Sequence, residues 1–193
     1  MKKLIFLFSF ILSLPCLGQK LKEGDNAPYF TVNDIYGNKV VIPSKSKTLL
    51  AFMRYAGCPI CNFRMHQLIE NHNNLVSNGF QLIVIYQSSD PTLREYLKDE
   101  NLSITVVGDP NRKLYKKYGV EPSFWKTLGS AFKKNTYKHK KEGGKLFGSS
   151  RPKRDGNITG IPADFIISEN GSIIKAYYGK TISDHLPLKD IIQ

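Results

Sequence analysis

The sequence predicts an α/β chain built on a mostly parallel central sheet. Three observations predict it. Strand-like apolar runs alternate with segments of helical spacing. The runs 48–53 and 80–86 are apolar nearly throughout, as in strands buried on both faces. Helix-opening pairs such as Asp90-Pro91 and Asp109-Pro110, and helix-closing glycines such as Gly79 and Gly119, separate the runs.

The chain has 193 residues and a formal charge of +12. Met1-Lys2-Lys3, an apolar run from Leu4 to Leu14, and small residues at Cys16 and Gly18 have the anatomy of a secretory signal peptide cut after Gly18. The expected organisation is therefore a signal peptide, 1–18, and one domain, 19–193. The apolar run is short for a bilayer span, and no second run of spanning length follows. The mature chain, its charge lowered by two to +10, is expected to be exported, periplasmic or extracellular, without stable membrane insertion. An uncleaved anchor is the alternative.

Residues 29–32 and 39–42 read as a hairpin around Asp34-Ile35-Tyr36-Gly37-Asn38. After the strand 48–53, helical spacing runs from Ile60 to about Val76. The strand 80–86 is followed by a helix to about Glu100, with Asp90 as its N-cap. A strand at 103–107 and a helix at 111–118 come next. Between 121 and 157 the pattern loosens into an insertion. Phe124, Trp125, Leu128 and Phe132 recur at helical spacing, which predicts a short amphipathic helix. Residues 133–154 hold nine Lys and Arg against the single acid Glu142. A solvated, mobile loop is the simplest reading of that run. Such charge can also hold nucleic acid or an anionic surface, and export argues against nucleic acid. A strand, an Asn170-Gly171 turn and a second strand form the last hairpin. A closing helix is expected over 184–192, with Asp184 and His185 near its cap.

The chemistry concentrates in Arg54-Tyr55-Ala56-Gly57-Cys58-Pro59-Ile60-Cys61. Removing the leader removes Cys16 and leaves only Cys58 and Cys61. A bridge across so short a loop adds little chain entropy, so this spacing suits a bond that opens and closes. Cys58 stands where a helix N-terminus favours a thiolate, and Arg54 is a candidate cation beside it. Cys61, one turn on, can close a disulfide onto Cys58. Tyr55 could donate to a sulfur intermediate, with packing as its simpler role. A Cys2His2 metal site with His66 and His72 is the competing reading, but on one helix these side chains do not converge with the cysteines. Asn62 stands where covalent haem attachment requires His. No cofactor is expected. A non-catalytic metal-delivery module is the alternative from another class.

The order Gly24-Asp25-Asn26-Ala27-Pro28, Asp34 to Gly37, Cys58-Pro59-Ile60-Cys61, Asp109-Pro110, Tyr118-Gly119-Val120 and Gly160-Ile161-Pro162-Ala163-Asp164-Phe165 resembles the thioredoxin-like superfamily, in its AhpC/TSA, peroxiredoxin-like branch. The resemblance implies a thioredoxin-like fold: a central mixed sheet flanked by helices, with an N-terminal β-hairpin and, here, a basic insertion. It implies an oxidoreductase acting on a protein dithiol or disulfide or on a peroxide, with a separate reductant partner. It also implies that Pro162 is a cis-proline facing the active cysteine and presenting the Ile161 backbone to substrate. The family's peroxide-binding Arg has no assured match; Arg54, Arg151 and Arg154 are the options.

Overall fold

The computed structural model describes residues 19–98, 102–146 and 154–192. The expected signal peptide and Arg151 lie outside these residues. The predicted fold is present. The strands β1 (Phe30–Asn33) and β2 (Lys39–Ile42) form an antiparallel hairpin as a separate two-stranded sheet. Its turn closes on the Asp34 carboxylate, which accepts from the backbone N–H groups of Tyr36 and Asn38. Gly37 takes the left-handed φ of 91° that the turn needs.

The main sheet holds β3 (Lys47–Phe52), β4 (Phe80–Tyr86), β5 (Thr105–Gly108), β6 (Ala163–Ile167) and β7 (Ile173–Tyr178). Its order is β5-β4-β3-β6-β7. The strands β5, β4 and β3 are mutually parallel, β6 runs antiparallel to β3, and β7 antiparallel to β6. The period of two along β3 sorts two cores. Leu49, Ala51 and Met53 join the cluster that also holds Met65, Leu68 and both cysteines. Leu50 and Phe52 join the aromatic cluster of Tyr115, Tyr118 and Phe165. Tyr115 Oη reaches the carbonyls of both Met53 and Ile85, so it holds together the carboxyl ends of β3 and β4, from which the site emerges.

Helix α1 (Pro59–Glu70) opens directly after Cys58. The single helix expected up to Val76 is instead two, because α2 (His72–Ser77) starts after a break at Asn71. The Asn71 side chain donates to the Gln67 carbonyl at 2.9 Å, a local bond that competes with helix continuation. Helix α3 (Asp90–Leu97) is capped one residue earlier than expected: the Ser89 hydroxyl accepts from the Thr92 N–H. Asp90 Oδ1 instead accepts from the Gly108 N–H, tying α3 to β5. Helix α4 (Lys113–Lys117) is shorter than predicted; the Asp109 carboxylate accepts from the N–H groups of Lys113, Leu114 and Tyr115.

Two further expectations change. The basic stretch is not loop throughout. After α5 (Phe124–Ser130), residues Lys134–Gly143 form α6, packed on α1. His139 stacks on Phe63 with ring centroids 4.2 Å apart, and Asn62 donates to the Gly143 carbonyl at 3.2 Å. A β-carbon on Gly143 would collide with the Pro59 carbonyl, so glycine is what lets α6 come this close. The closing helix is also absent. Pro187 leaves room only for a 3₁₀ turn, Leu188–Asp190, and His185 and Leu186 turn inward to Asp164. Among the described residues no helix is long and apolar enough to cross a membrane.

Candidate redox site

Strand β3 delivers Met53 and Arg54 to the carboxyl edge of the sheet, and a tight turn with Gly57 at φ 73° passes the chain into α1. Cys58 is the N-cap residue, with extended dihedrals, and Pro59 fills the first helical position without sacrificing a backbone donor. Both thiols are free and buried; Cys58 is 0% exposed.

The two sulfurs are not equivalent. The Cys61 thiol donates to Cys58, and this bond is the largest cause lowering the Cys58 pKa from 9.0 to about 6. Burial opposes the shift, while the Arg54 charge and the backbone N–H groups of Cys61 and Ile60 reinforce it. Burial pushes the Cys61 thiol well above its ordinary value, and the bond to Cys58 adds to that. Arg54 Nη1 lies 3.5 Å from the Cys58 sulfur, and the Arg54 backbone N–H points at the Cys61 sulfur at 3.4 Å. Geometry and charge therefore favour the thiolate at Cys58 over Cys61.

A strap, residues 154–160, packs on the residues that flank this pair. Arg54 Nη2 donates to the Ile158 carbonyl. Gln87 Oε1 accepts from the Asn157 N–H at 2.8 Å. Ser88 Oγ accepts from the Ala56 N–H and donates to Asp155. The Tyr55 ring carries the Arg54 guanidinium at 5.3 Å and that of Arg154 at 5.4 Å. Burial raises the Tyr55 pKa, and the Cys58 charge adds to it, so Tyr55 stays a neutral phenol.

Behind α1 lies a second buried charge cluster. Asp164, in β6 opposite Ala51, accepts from His185 Nδ1 at 3.0 Å and from the Leu186 N–H at 2.7 Å, and Arg64 Nη2 lies 3.8 Å away. Arg64 also donates to the Leu186 carbonyl at 3.0 Å. Burial would raise the Asp164 pKa, but His185 and Arg64 hold it below the usual carboxylate range. This cluster clamps α1 to the sheet and to the C-terminal segment.

The structure thus brings Arg54, Tyr55, Cys58 and Cys61 together. Pro162 departs from expectation in the peptide bond that precedes it. The cis peptide bond among the described residues is Ile42–Pro43, so the bond from Ile161 to Pro162 is trans. The physical reason is an extended entry into β6. Gly160 bridges to Pro122, and the Pro162 carbonyl accepts from the Gly179 N–H, so the chain needs no reversal there. Ile161 and Pro162 line a cavity of about 210 Å³ with Val120, Ser123, Lys126 and Tyr178, and neither cysteine borders it. His66 pairs with Glu70 and His72 contacts Asn73, so neither imidazole bonds a cysteine. Among the described residues no group of three or more His, Cys, Asp or Glu side chains is placed to hold a metal. Sequence reading missed Ser88, Asp155, Gln87, Asn62 and the Arg64–Asp164 contact. The one signal available was a carboxylate inside the apolar run 163–167.

The AhpC/TSA family pattern matches residues 24–176, most of the chain. The chain belongs to the AhpC/TSA family. A Mycobacterium tuberculosis protein described as a peroxiredoxin is 22% identical over 172 residues, covering 86% of this chain and 91% of that one. The thiol-disulfide oxidoreductase ResA of Bacillus thuringiensis is 27% identical over 108 residues, covering 54% of this chain and 61% of its own. Among solved structures, a peroxiredoxin-like protein from Aquifex aeolicus superposes with a TM-score of 0.64 at 17% identity, covering 91% of this chain and 86% of that one. A DsbE-type thiol:disulfide interchange protein from Chlorobium tepidum gives 0.56 at 18% identity, over 82% and 86%. These superpositions speak to the fold. Taken with the family, the AhpC/TSA chain is a thioredoxin-like oxidoreductase.

Proposed function

We propose that this chain is an exported oxidoreductase that cycles Cys58 and Cys61 between dithiol and disulfide, with a peroxide as the oxidant. The observation that carries the reading is the asymmetry of the two buried thiols: Cys58 lowered to about 6, Cys61 raised, and the Arg54 guanidinium 3.5 Å from the Cys58 sulfur. The Cys58 thiolate attacks one peroxide oxygen and the O–O bond breaks. The product is a Cys58 sulfenic acid, and the departing oxygen leaves as an alcohol or water after taking one proton. Cys61 then attacks the Cys58 sulfur, forming the disulfide and releasing water. A separate dithiol returns two electrons to restore the pair. Arg54 stabilises the thiolate and Tyr55 covers it. Complete burial of Cys58 favours a small oxidant over a folded protein.

Disulfide exchange with a protein is the second reading, favoured by the intact Cys58-Pro59-Ile60-Cys61 itself. In that case Cys58, 0% exposed here, must become accessible to a partner sulfur. Export rests on the leader-like sequence of residues 1–18.

Stopped-flow oxidation of the reduced protein by hydrogen peroxide, beside Cys58→Ser, tests the choice. Oxidation far faster than that of a free thiol of the same pKa, and lost in the variant, is the expected result. Oxidation at the free-thiol rate would leave protein disulfides as the substrate.

A further inference from the structure

Helix α5 is built inside out. Successive helical residues advance by about 100°. Phe124, Trp125 and Leu128 therefore share an arc of about 100° on one side, while Lys126 and Ser130 fall on the other. In a helix that packs on a core, the apolar arc faces inward. Here the polar side does. Ser130 is buried, its hydroxyl donating to the Lys126 carbonyl and accepting from the Ile182 N–H. Lys126 Nζ donates to the Gly179 carbonyl at 2.9 Å. The apolar arc faces solvent: Trp125 is 78% exposed, and Phe124 and Leu128 are exposed beside it. Phe124 and Trp125 meet edge to face, with centroids 5.4 Å apart. At the corner between α5 and α6, Phe132 is 85% exposed, and Tyr137 of α6 is exposed as well. An apolar surface held outward by its own polar anchors marks an interaction site.

Its rim states the partner's charge. Lys133, Lys134, Lys138, Lys140 and Lys141 follow within ten residues and are exposed, with Glu142 the sole acid of α6. A second copy of this chain would set like charges against each other across a twofold axis. Aromatic rings and leucine on one side, with lysines beside them, match the boundary between anionic headgroups and acyl chains. We infer that α5 and the start of α6 form a peripheral docking surface for an anionic phospholipid bilayer, lying on the membrane without crossing it.

Trp125 is the chain's single tryptophan, so its fluorescence reports on this surface alone, whatever the Leu4–Leu14 run does. The reduced full-length protein is mixed with vesicles of phosphatidylcholine, with and without phosphatidylglycerol. The expected result is a blue shift of the emission, and quenching by brominated acyl chains, on the anionic vesicles. The Leu128→Ser/Phe132→Ser variant keeps the reporter and should partition at least about tenfold more weakly. Lys133→Glu/Lys134→Glu should weaken partitioning by about tenfold or more at low salt. Both should retain wild-type oxidation rates at Cys58. Three results would overturn the inference. The emission could stay unshifted on anionic vesicles. It could shift equally on neutral and anionic ones. It could shift without lipid as protein concentration rises, which would assign the surface to a second copy.

Discussion

Arg54 and Arg64 are both buried guanidinium groups, and the regions around them meet the same electrostatic cost differently. Around Arg64 the counter-charge is permanent. Asp164 is fully buried, and His185 and Arg64 hold its pKa below the usual carboxylate range, so it is a carboxylate at neutral pH. Around Arg54 no carboxylate pairs with the guanidinium among the described residues. Its anionic neighbour is the Cys58 sulfur, which carries charge only as a thiolate. A permanent counter-charge suits a clamp. A conditional one suits a reacting centre, because disulfide formation removes the charge that Arg54 stabilised.

The largest expected effect lies in the clamp. Asp164→Asn leaves Arg64 and His185 without their carboxylate and should destabilise the protein by about 3–5 kcal/mol in denaturant melts. The apparent pKa of Cys58 should stay near 6. A clear move of that pKa would show that the two regions act as one.

Next comes Arg54→Met. The Cys58 pKa should rise from about 6 toward its ordinary value, and alkylation at mildly acid pH should slow by on the order of tenfold. Arg54→Lys should recover part of the loss. The same shift sets a pH dependence of stability. The Cys58 pKa is depressed in the folded reduced protein. Its ionisation therefore contributes fully above the unfolded value, near 9, and the contribution is lost as pH falls through about 6. Cys58→Ser should abolish that part of the profile in denaturant titrations.

Gly143→Ala should cost about 1–3 kcal/mol by pushing α6 off the Pro59 carbonyl. The smallest effect concerns the strap. Oxidation of the pair removes the Cys58 charge beside Arg54, so amides of 155–160 should exchange hydrogen faster in the disulfide form. Equal protection in both forms would show that Arg54 holds the strap regardless of the sulfur.

Local chemistry was the legible part of the sequence. The turns at Gly37 and Gly171, the strand Phe80–Tyr86 and the helix start at Pro59 follow from residues adjacent in the chain. Cys58, Cys61 and Arg54 were legible for the same reason. The basic segment misled because ten residues rich in lysine carry no apolar stripe. Its order comes from Asn62, Phe63 and Pro59, about eighty positions away, and from a glycine whose lack of a side chain is its function. The strap contacts Ser88–Asp155 and Gln87–Asn157 join segments some seventy residues apart, so no local pattern announces them. Pro162 misled in the opposite way: a familiar motif was present, but the bond that precedes it is trans.

The most direct test of the asymmetric pair is alkylation of the reduced protein across pH, with each cysteine quantified by mass spectrometry. The account predicts that Cys58 is labelled first, with a midpoint near 6, and that Cys61 resists until well above pH 9. Labelling of Cys61 first, or a shared midpoint near 9, would contradict it.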